Sequence, residues 1–191
     1  LIDKGYHPLA YRMLCLQAHY RSELEFSWEG LQAAQTRLKR MIIASDRDDL
    51  RKFTGEGRTG EWDHTTGSAA KLDVLGRLDE AISDDLNTAK ALTILEDTFS
   101  NKTIEPFDRW GVIKAFDDVL GLELLANRRS AFRIRPKSAT VTEAEIEAQL
   151  ARRKEARAAK DFATSDAIRD ELAAQGVEVM DGDPLEWEWK L

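Results

Sequence analysis

Residues 142–176, with the sequence TEAEIEAQLARRKEARAAKDFATSDAIRDELAAQG, contain the strongest helix signals of the chain. Thr142 followed three residues later by Glu145 is a capping box, which marks the start of a helix. Ile146 and Leu150 are one turn apart and would face a core. The pattern predicts a helix that begins at about residue 143.

A second helix follows directly. The first should stop near Lys160, and Asp161 can cap the next one. Ile168 and Leu172 supply its inward face, and Gly176 suits a left-handed C-terminal cap. This stretch therefore predicts two consecutive helices joined by a tight turn.

Short apolar runs at Val177–Met180 and Leu185–Trp189 flank the turn residues Asp181-Gly182-Asp183-Pro184. Such runs around a turn signal predict a short β-hairpin. Two helices and a hairpin make residues 141–191 a small α+β module. Residues 126–140 have no apolar period and are basic, which is typical of a linker.

Residues 1–125 predict an antiparallel bundle of about five helices, because apolar residues recur at helical spacing between short breaks. The first helix begins at Pro8 and carries its apolar stripe as far as Tyr20. Ser27 caps the second, which ends by about Phe53. Residues 54–68 are glycine-rich and should lack regular structure. Three further helices are marked by Leu72 to Ile82, Ala91 to Phe99, and Phe107 to Leu120 before Gly121.

The fold class predicted is therefore mainly α, with a helical bundle followed by the small module. The net charge of −7 argues against nucleic-acid binding by bulk electrostatics, so any such contact must be local. No apolar run is long enough to span a membrane and no signal-peptide layout is present, which indicates the cytoplasm. Cys15, the one cysteine, lies in an apolar run and reads as a buried thiol.

Catalytic constellations are missing from the sequence, which has no glycine-rich phosphate loop, nucleophile elbow or zinc-binding cysteine pair. The histidines His7, His19 and His64 are not arranged to share a metal ion. The Asp84-Asp85 pair could hold a metal, but capping of the next helix by Asn87 or Thr88 explains this stretch better.

Three stretches together resemble the cysteine–tRNA ligases, a class I aminoacyl-tRNA synthetase family. The stretches are Gly5 to Arg12 running into Ala18–Ser22 and Phe26-Ser27, then Leu78–Ile82 with Asp84–Thr88 and Ala91-Leu92, and finally Arg153–Arg157, Lys160–Ala163 and Asp166–Leu172 ending at Gly176. Their order and spacing agree with the carboxyl-terminal part of the family along nearly the whole chain.

The resemblance implies a catalytic domain upstream that binds ATP and a zinc ion, neither of which this portion would hold. It also implies that tRNA(Cys) is the partner, that the ligase is a monomer, and that this portion alone is inactive. Glu186 and Glu188 depart from the basic tail common in the family, so contact of this tail with tRNA is in doubt.

A helical wheel puts Phe162, Asp166 and Arg169 on one face of the second helix of the module. A ring, an acceptor and a donor together suit an unstacked base, with Asp166 accepting from a guanine edge. Two structural alternatives stay open: Asp166 and Arg169 pair with each other, or Phe162 belongs to the core.

Arg157 ends the preceding helix and would reach the same place, and Asp181 matches an acid that the family places beside the anticodon. By resemblance, Arg157, Phe162, Asp166, Arg169 and Asp181 would read the GCA anticodon. Two rival functions are the cysteine–aminosugar ligase of mycothiol synthesis, which resembles these synthetases through the bundle, and a non-catalytic helical interaction module or paralogue.

Overall fold

The computed structural model describes residues 1–47, 50–53 and 65–191. The chain forms two compact units. Pro8–Ala131 is the helical unit, and Leu1–His7 together with Phe132–Leu191 is the terminal unit. The boundaries after residues 125 and 140 stay predictions. Across the described part of the chain, no helix combines the length and the apolar character needed to span a membrane.

Five α-helices with buried apolar faces build the described part of the helical unit. They are α1 (Pro8–Leu16), α2 (Trp28–Arg47), α3 (Ala69–Ser83), α4 (Thr88–Ser100) and α5 (Pro106–Leu120). Helix α1 packs on α2, and α3, α4 and α5 contact one another. Fully buried side chains at the centre include Leu38, Leu92, Ile113 and Phe116.

Several predicted helix ends are confirmed. Ser27 caps α2 by accepting a hydrogen bond from the Gly30 amide at 2.9 Å. Asn87 caps α4 by accepting from the Lys90 amide at 3.0 Å, as expected for a structural role of this stretch. Gly121 ends α5 in the left-handed conformation, with φ 62°.

The predicted end of the first helix is wrong. Helix α1 stops at Leu16, where the Thr88 hydroxyl donates to the Leu16 carbonyl at 2.9 Å. Tyr20 is 60% exposed rather than part of the apolar stripe. Its hydroxyl donates to the Asp85 carboxylate at 2.7 Å, a partner that lies too far along the chain for local periodicity to show.

The end of the second helix lies near the predicted position. Helix α2 ends at Arg47, before a 3-10 helix at Leu50–Phe53, and residues 48–49 lie outside the described residues. Most of the predicted loop, residues 54–64 with His64, also lies outside them.

Cys15 is exposed, so the buried-thiol interpretation is wrong. Helix α1 buries Ala10, Met13 and Leu14, and Cys15 lies on the opposite side of the helix.

The terminal unit holds α6 (Glu143–Ala158), α7 (Phe162–Ala174), β1 (Val177–Val179) and β2 (Trp187–Trp189). Both predicted starts are confirmed: Thr142 and Glu145 form the capping box, and Asp161 accepts from the Thr164 amide at 3.1 Å. The strands pair antiparallel, with Val177 opposite Trp189. The mainly α class with a small hairpin is therefore confirmed.

One apolar cluster holds the terminal unit together. Both hairpin tryptophans lie in it, with their rings edge to face at 5.3 Å, and the Arg133 guanidinium lies 4.1 Å from the Trp187 ring centroid. The cluster therefore fixes the hairpin against both helices. Its buried members are Val141, Ile146, Leu150, Ile168, Leu172, Val177, Trp187 and Trp189.

Candidate nucleic-acid interface

The inward stripe of α6 changes from apolar to charged along the helix. Ile146 and Leu150 are buried, and the next position on that face is Arg153, which is only 5% exposed. Arg157 follows one turn later, where the helix ends, and its side chain is 47% exposed. The periodicity that buries two aliphatic side chains thus carries one guanidinium into the unit and leaves the next at its surface.

The turn between the strands is held by its own backbone. The Met180 amide donates to the Glu186 carbonyl at 2.8 Å, and the Glu186 amide donates to the Asp183 carbonyl at 2.9 Å. Gly182 has φ 80°, a conformation that glycine adopts without a steric penalty. These features place Asp181 at a defined point beside α6.

Asp181 binds both arginines of α6. Arg153 donates to its two carboxylate oxygens at 2.6 and 2.8 Å, and Arg157 Nη1 lies 2.9 Å from Oδ2. The hydrogen bonds from Arg153, and then those from Arg157, hold the pKa of Asp181 well below its usual range. The same bond to Asp181 raises the pKa of Arg153. Asp181 and Arg153 are therefore both charged at neutral pH.

A cleft of about 490 Å³ opens beside this cluster. One wall is α6, with Arg153, Lys154 and Arg157, and the other is the turn from Val179 to Pro184 together with Glu186. Lys154 forms an ion pair with Glu186. The volume falls within the range of roughly 300–1,000 Å³ that is typical of ligand sites.

The predicted face of α7 is exposed. Phe162, the first residue of the helix, is 62% exposed, so the core alternative for this ring is wrong. Arg169 Nη1 lies 3.5 Å from Asp166 Oδ1, and Arg169 also contacts Asp170 at 3.2 Å. The alternative pairing of Asp166 with Arg169 thus exists. Both partners are about half exposed, and such pairs are weak and easily exchanged.

The five predicted residues form two groups. Arg157 and Asp181 line the cleft, whereas Phe162, Asp166 and Arg169 share α7 and are not among the lining residues. The charge of Asp166 contributes to raising the pKa of Arg153, a residue of the cleft. Arg153 was not among the five predicted site residues, although its position seven residues after Ile146 on the buried stripe indicates that its charge is carried inside.

The α7 face presents an exposed ring with a carboxylate and a guanidinium group, and the cleft presents the fixed carboxylate of Asp181 with a second set of guanidinium groups. Rings of this kind stack on bases, carboxylates accept from amino and imino groups, and guanidinium groups bind phosphates and base acceptors. The cleft lining carries three basic side chains (Arg153, Lys154 and Arg157) and three acidic ones (Asp181, Asp183 and Glu186), so its charges balance in a chain whose net charge is −7. Such a surface fits a single-stranded segment of nucleic acid.

Comparison with known proteins places these residues in a described family. Residues 140–184 match the family described as cysteinyl-tRNA ligase anticodon binding domain. The chain is 59% identical over 191 residues to a cysteine–tRNA ligase of Novosphingobium aromaticivorans, covering 100% of this chain and 37% of that protein. It is 43% identical over 213 residues to a cysteine–tRNA ligase of Zymomonas mobilis, covering 100% of this chain and 41% of the relative. The chain thus spans about two-fifths of the length of these curated relatives.

Proposed function

Because this chain belongs to the cysteine–tRNA ligase family and corresponds to the carboxyl-terminal part of its relatives, we propose that it docks tRNA(Cys) and reads the anticodon. The chemistry would be performed by a catalytic domain upstream. In this proposal the terminal unit supplies recognition, and the tRNA is held so that its acceptor end reaches that domain.

One observation carries the proposal. The segment that matches the anticodon-binding family, residues 140–184, contains all five predicted residues and most of the cleft lining. The mycothiol-pathway ligase is not favoured, because the match falls on this anticodon-binding segment.

The proposed contacts follow from the chemistry of each side chain. Phe162 offers a stacking surface for an unstacked base, and Asp166 and Asp181 accept hydrogen bonds from the donor edge of guanine. Arg157 and Arg169 donate to base acceptors or phosphates. Guanine is the first base of the GCA anticodon and has both an imino and an amino donor, which suits a site with two carboxylates.

ATP and zinc would be bound by the upstream domain rather than by this chain. Within residues 1–47, 50–53 and 65–191, no group of three His, Cys, Asp or Glu side chains is placed to hold a metal ion. The proposed role of this chain involves neither group. We also propose that the chain alone does not activate cysteine, and that the ligase is a cytoplasmic monomer.

Binding of anticodon stem–loop RNAs tests the recognition step. We expect the chain to prefer a GCA loop over one whose first base is adenine by about tenfold or more, because adenine lacks the donor edge of guanine. Asp166→Ala and Asp181→Ala should each reduce that ratio. Glu147→Ala, which removes one exposed carboxylate of α6, is the matched control and should leave the ratio unchanged.

Aminoacylation tests the docking step. The aligned segment of the Novosphingobium ligase is replaced by this chain, and kcat/KM for tRNA(Cys) is compared with the rate of cysteinyl-adenylate formation. Arg157→Ala and Asp166→Ala should lower kcat/KM for tRNA and leave adenylate formation intact. If neither variant changes kcat/KM, the assignment of these residues is wrong. In the stem–loop binding experiment, a non-catalytic interaction module would show no preference between the GCA loop and the adenine-substituted loop.

A further inference from the structure

Arg153 binds Asp181 through a two-point contact. Its two terminal nitrogens donate to the two carboxylate oxygens, and its side chain is 6% exposed. A two-point contact fixes the plane of a carboxylate as well as its position. The backbone hydrogen bonds of the turn from Met180 to Glu186 fix the main chain of Asp181.

Arg157 holds Asp181 in a different way. It makes an ion-pair contact through Nη1 at 2.9 Å, and almost half of its side chain is exposed. An exposed ion pair contributes little to stability, so this contact is easily exchanged for another anion. The Asp181 carboxylate thus faces two guanidinium groups. The buried group, that of Arg153, already donates to both oxygens of Asp181.

We propose that Arg153 is a positioning residue that fixes the base-reading carboxylate of Asp181, and that Arg157 is the surplus cation that leaves Asp181 for the RNA backbone when the anticodon binds. This inference rests on the proposed function. It assigns the two arginines of one helix, four residues apart, to separate tasks: Arg153 supports base discrimination without contacting RNA, and Arg157 supplies sequence-independent attraction.

The two tasks differ in how they respond to salt and to base identity. A cation that binds phosphate releases a counterion, so its removal weakens all RNAs alike and flattens the salt dependence. Misplacing an acceptor that reads a base edge changes the ratio between RNAs instead. Without Arg153, Arg157 would be the remaining ion-pair partner of Asp181, and it would stay bound to that carboxylate.

The test compares Arg153→Met and Arg157→Met with Arg152→Met, which removes an exposed guanidinium that contacts Gln149 on the same helix. Each variant is titrated with GCA and adenine-substituted stem–loops at several salt concentrations. Arg157→Met should weaken both RNAs about five- to tenfold, keep their ratio, and reduce the salt slope by about 0.7. Arg153→Met should bring the ratio to within about twofold of one. Arg152→Met should change neither.

Arg153→Lys separates geometry from charge and also covers the case in which the Met variant does not fold. Lysine keeps the charge but cannot make the planar two-point contact, so discrimination should still fall. Full discrimination in a folded Arg153→Lys variant, or equal loss of discrimination in the Arg157→Met variant, would overturn the proposal.

A readout without RNA distinguishes the failure of this inference from failure of the proposed function. Carboxyl NMR titration should show Asp181 ionised at a lower pH than an ordinary aspartate, whose pKa is about 3.9, in the wild-type chain, with most of the difference lost in Arg153→Met and retained in Arg157→Met. If this titration pattern is found but the chain does not prefer the GCA stem–loop, Arg153 does fix Asp181. The transfer of Arg157 to the RNA backbone and the proposed function would then both be overturned. Equal effects of the two variants would overturn the inference itself.

Discussion

Asp181 is held in its ionised form by two guanidinium groups, which makes its contribution to stability depend on pH. The pKa of its folded state lies below the ordinary value because Arg153, and then Arg157, bind the carboxylate. For an acid with a depressed pKa, the stabilisation is complete above the ordinary value of about 3.9 and is lost as pH falls below it. The relevant window is therefore strongly acidic.

The difference in melting temperature between the wild type and Asp181→Asn, measured across pH, checks this pH dependence of stability. Between pH 7 and about 4 the variant should melt at the lower temperature, because it lacks the charge that Arg153 requires, and the gap should narrow at lower pH as the wild-type carboxyl takes up its proton. A gap that widens in acid would contradict the assignment.

Phe162 is a second residue whose exposure leads to a prediction. Because its side chain is mostly exposed, Phe162→Leu should hardly change the melting temperature. Stacking on a base is worth about 1–3 kcal/mol, so the same change should weaken stem–loop binding by roughly fivefold or more. Phe162→Trp retains an aromatic face and is the matched control. A loss of stability without a loss of binding would indicate a structural ring.

At this scale the sequence placed exposed residues better than buried charges. The wheel put Phe162, Asp166 and Arg169 on one surface, and the exposure of Phe162 agrees with it. It did not identify Arg153, because periodicity assigns a face without saying which partner crosses from another element. Asp181 lies 28 residues away, and only the folded hairpin brings the two together.

Among elements, α6 begins with a capping box and carries the cleft arginines Arg153 and Arg157 near its other end. Thr142 accepts from the Glu145 amide, and the Glu145 carboxylate accepts from the Thr142 amide at 2.7 Å. The bonds that the Thr142 amide and hydroxyl donate to the Glu145 carboxylate lower the pKa of Glu145. The two amide bonds of the capping box also satisfy donors that the helix cannot pair internally.

Replacing Thr142 by alanine should lower the free energy of unfolding by about 1 kcal/mol. Urea titration followed by circular dichroism measures the change. Thr142→Ser keeps the hydroxyl acceptor and should lie near the wild type. If Thr142→Ala and Thr142→Ser are equally destabilised, the hydroxyl is not the group that matters.

Helix starts were predictable because their signals are local: a short polar side chain bonds an amide two or three residues ahead. The end of α1 was not, because the group that takes the Leu16 carbonyl comes from Thr88. The hairpin was visible as two apolar runs around a turn. Which of its side chains are buried was decided by packing of both tryptophans against α6 and α7.

For the whole molecule, an excess of acidic over basic residues limits how RNA can be bound. The chain has 35 acidic and 28 basic residues, so attraction must come from a few cations such as Arg157. Two or three phosphate contacts on a single strand give a slope of log K against log salt of about −1.4 to −2.1. Anisotropy titrations of the GCA stem–loop at increasing salt measure it. A slope steeper than about −4 would require a broad basic surface and contradict the local site.

Fold class could be predicted at this scale, since helix formers and periodicity extend along most of the chain. The grouping of Leu1–His7 with Phe132–Leu191 could not, because nothing in the first seven residues indicates so distant a partner. In the structure the rings of His7 and Phe132 lie 4.4 Å apart, and the Lys137 amide donates to the Asp3 carbonyl at 2.8 Å.

That discontinuity has a consequence for synthesis on the ribosome. Once Leu1–His7 has been made, the whole helical unit must still be translated before the residues that receive this segment exist, a delay on the order of ten seconds at ordinary elongation rates. The helical unit can begin to fold in that interval, while the proposed RNA-binding surface is assembled last. A nascent chain arrested near residue 131 would therefore lack the proposed recognition site.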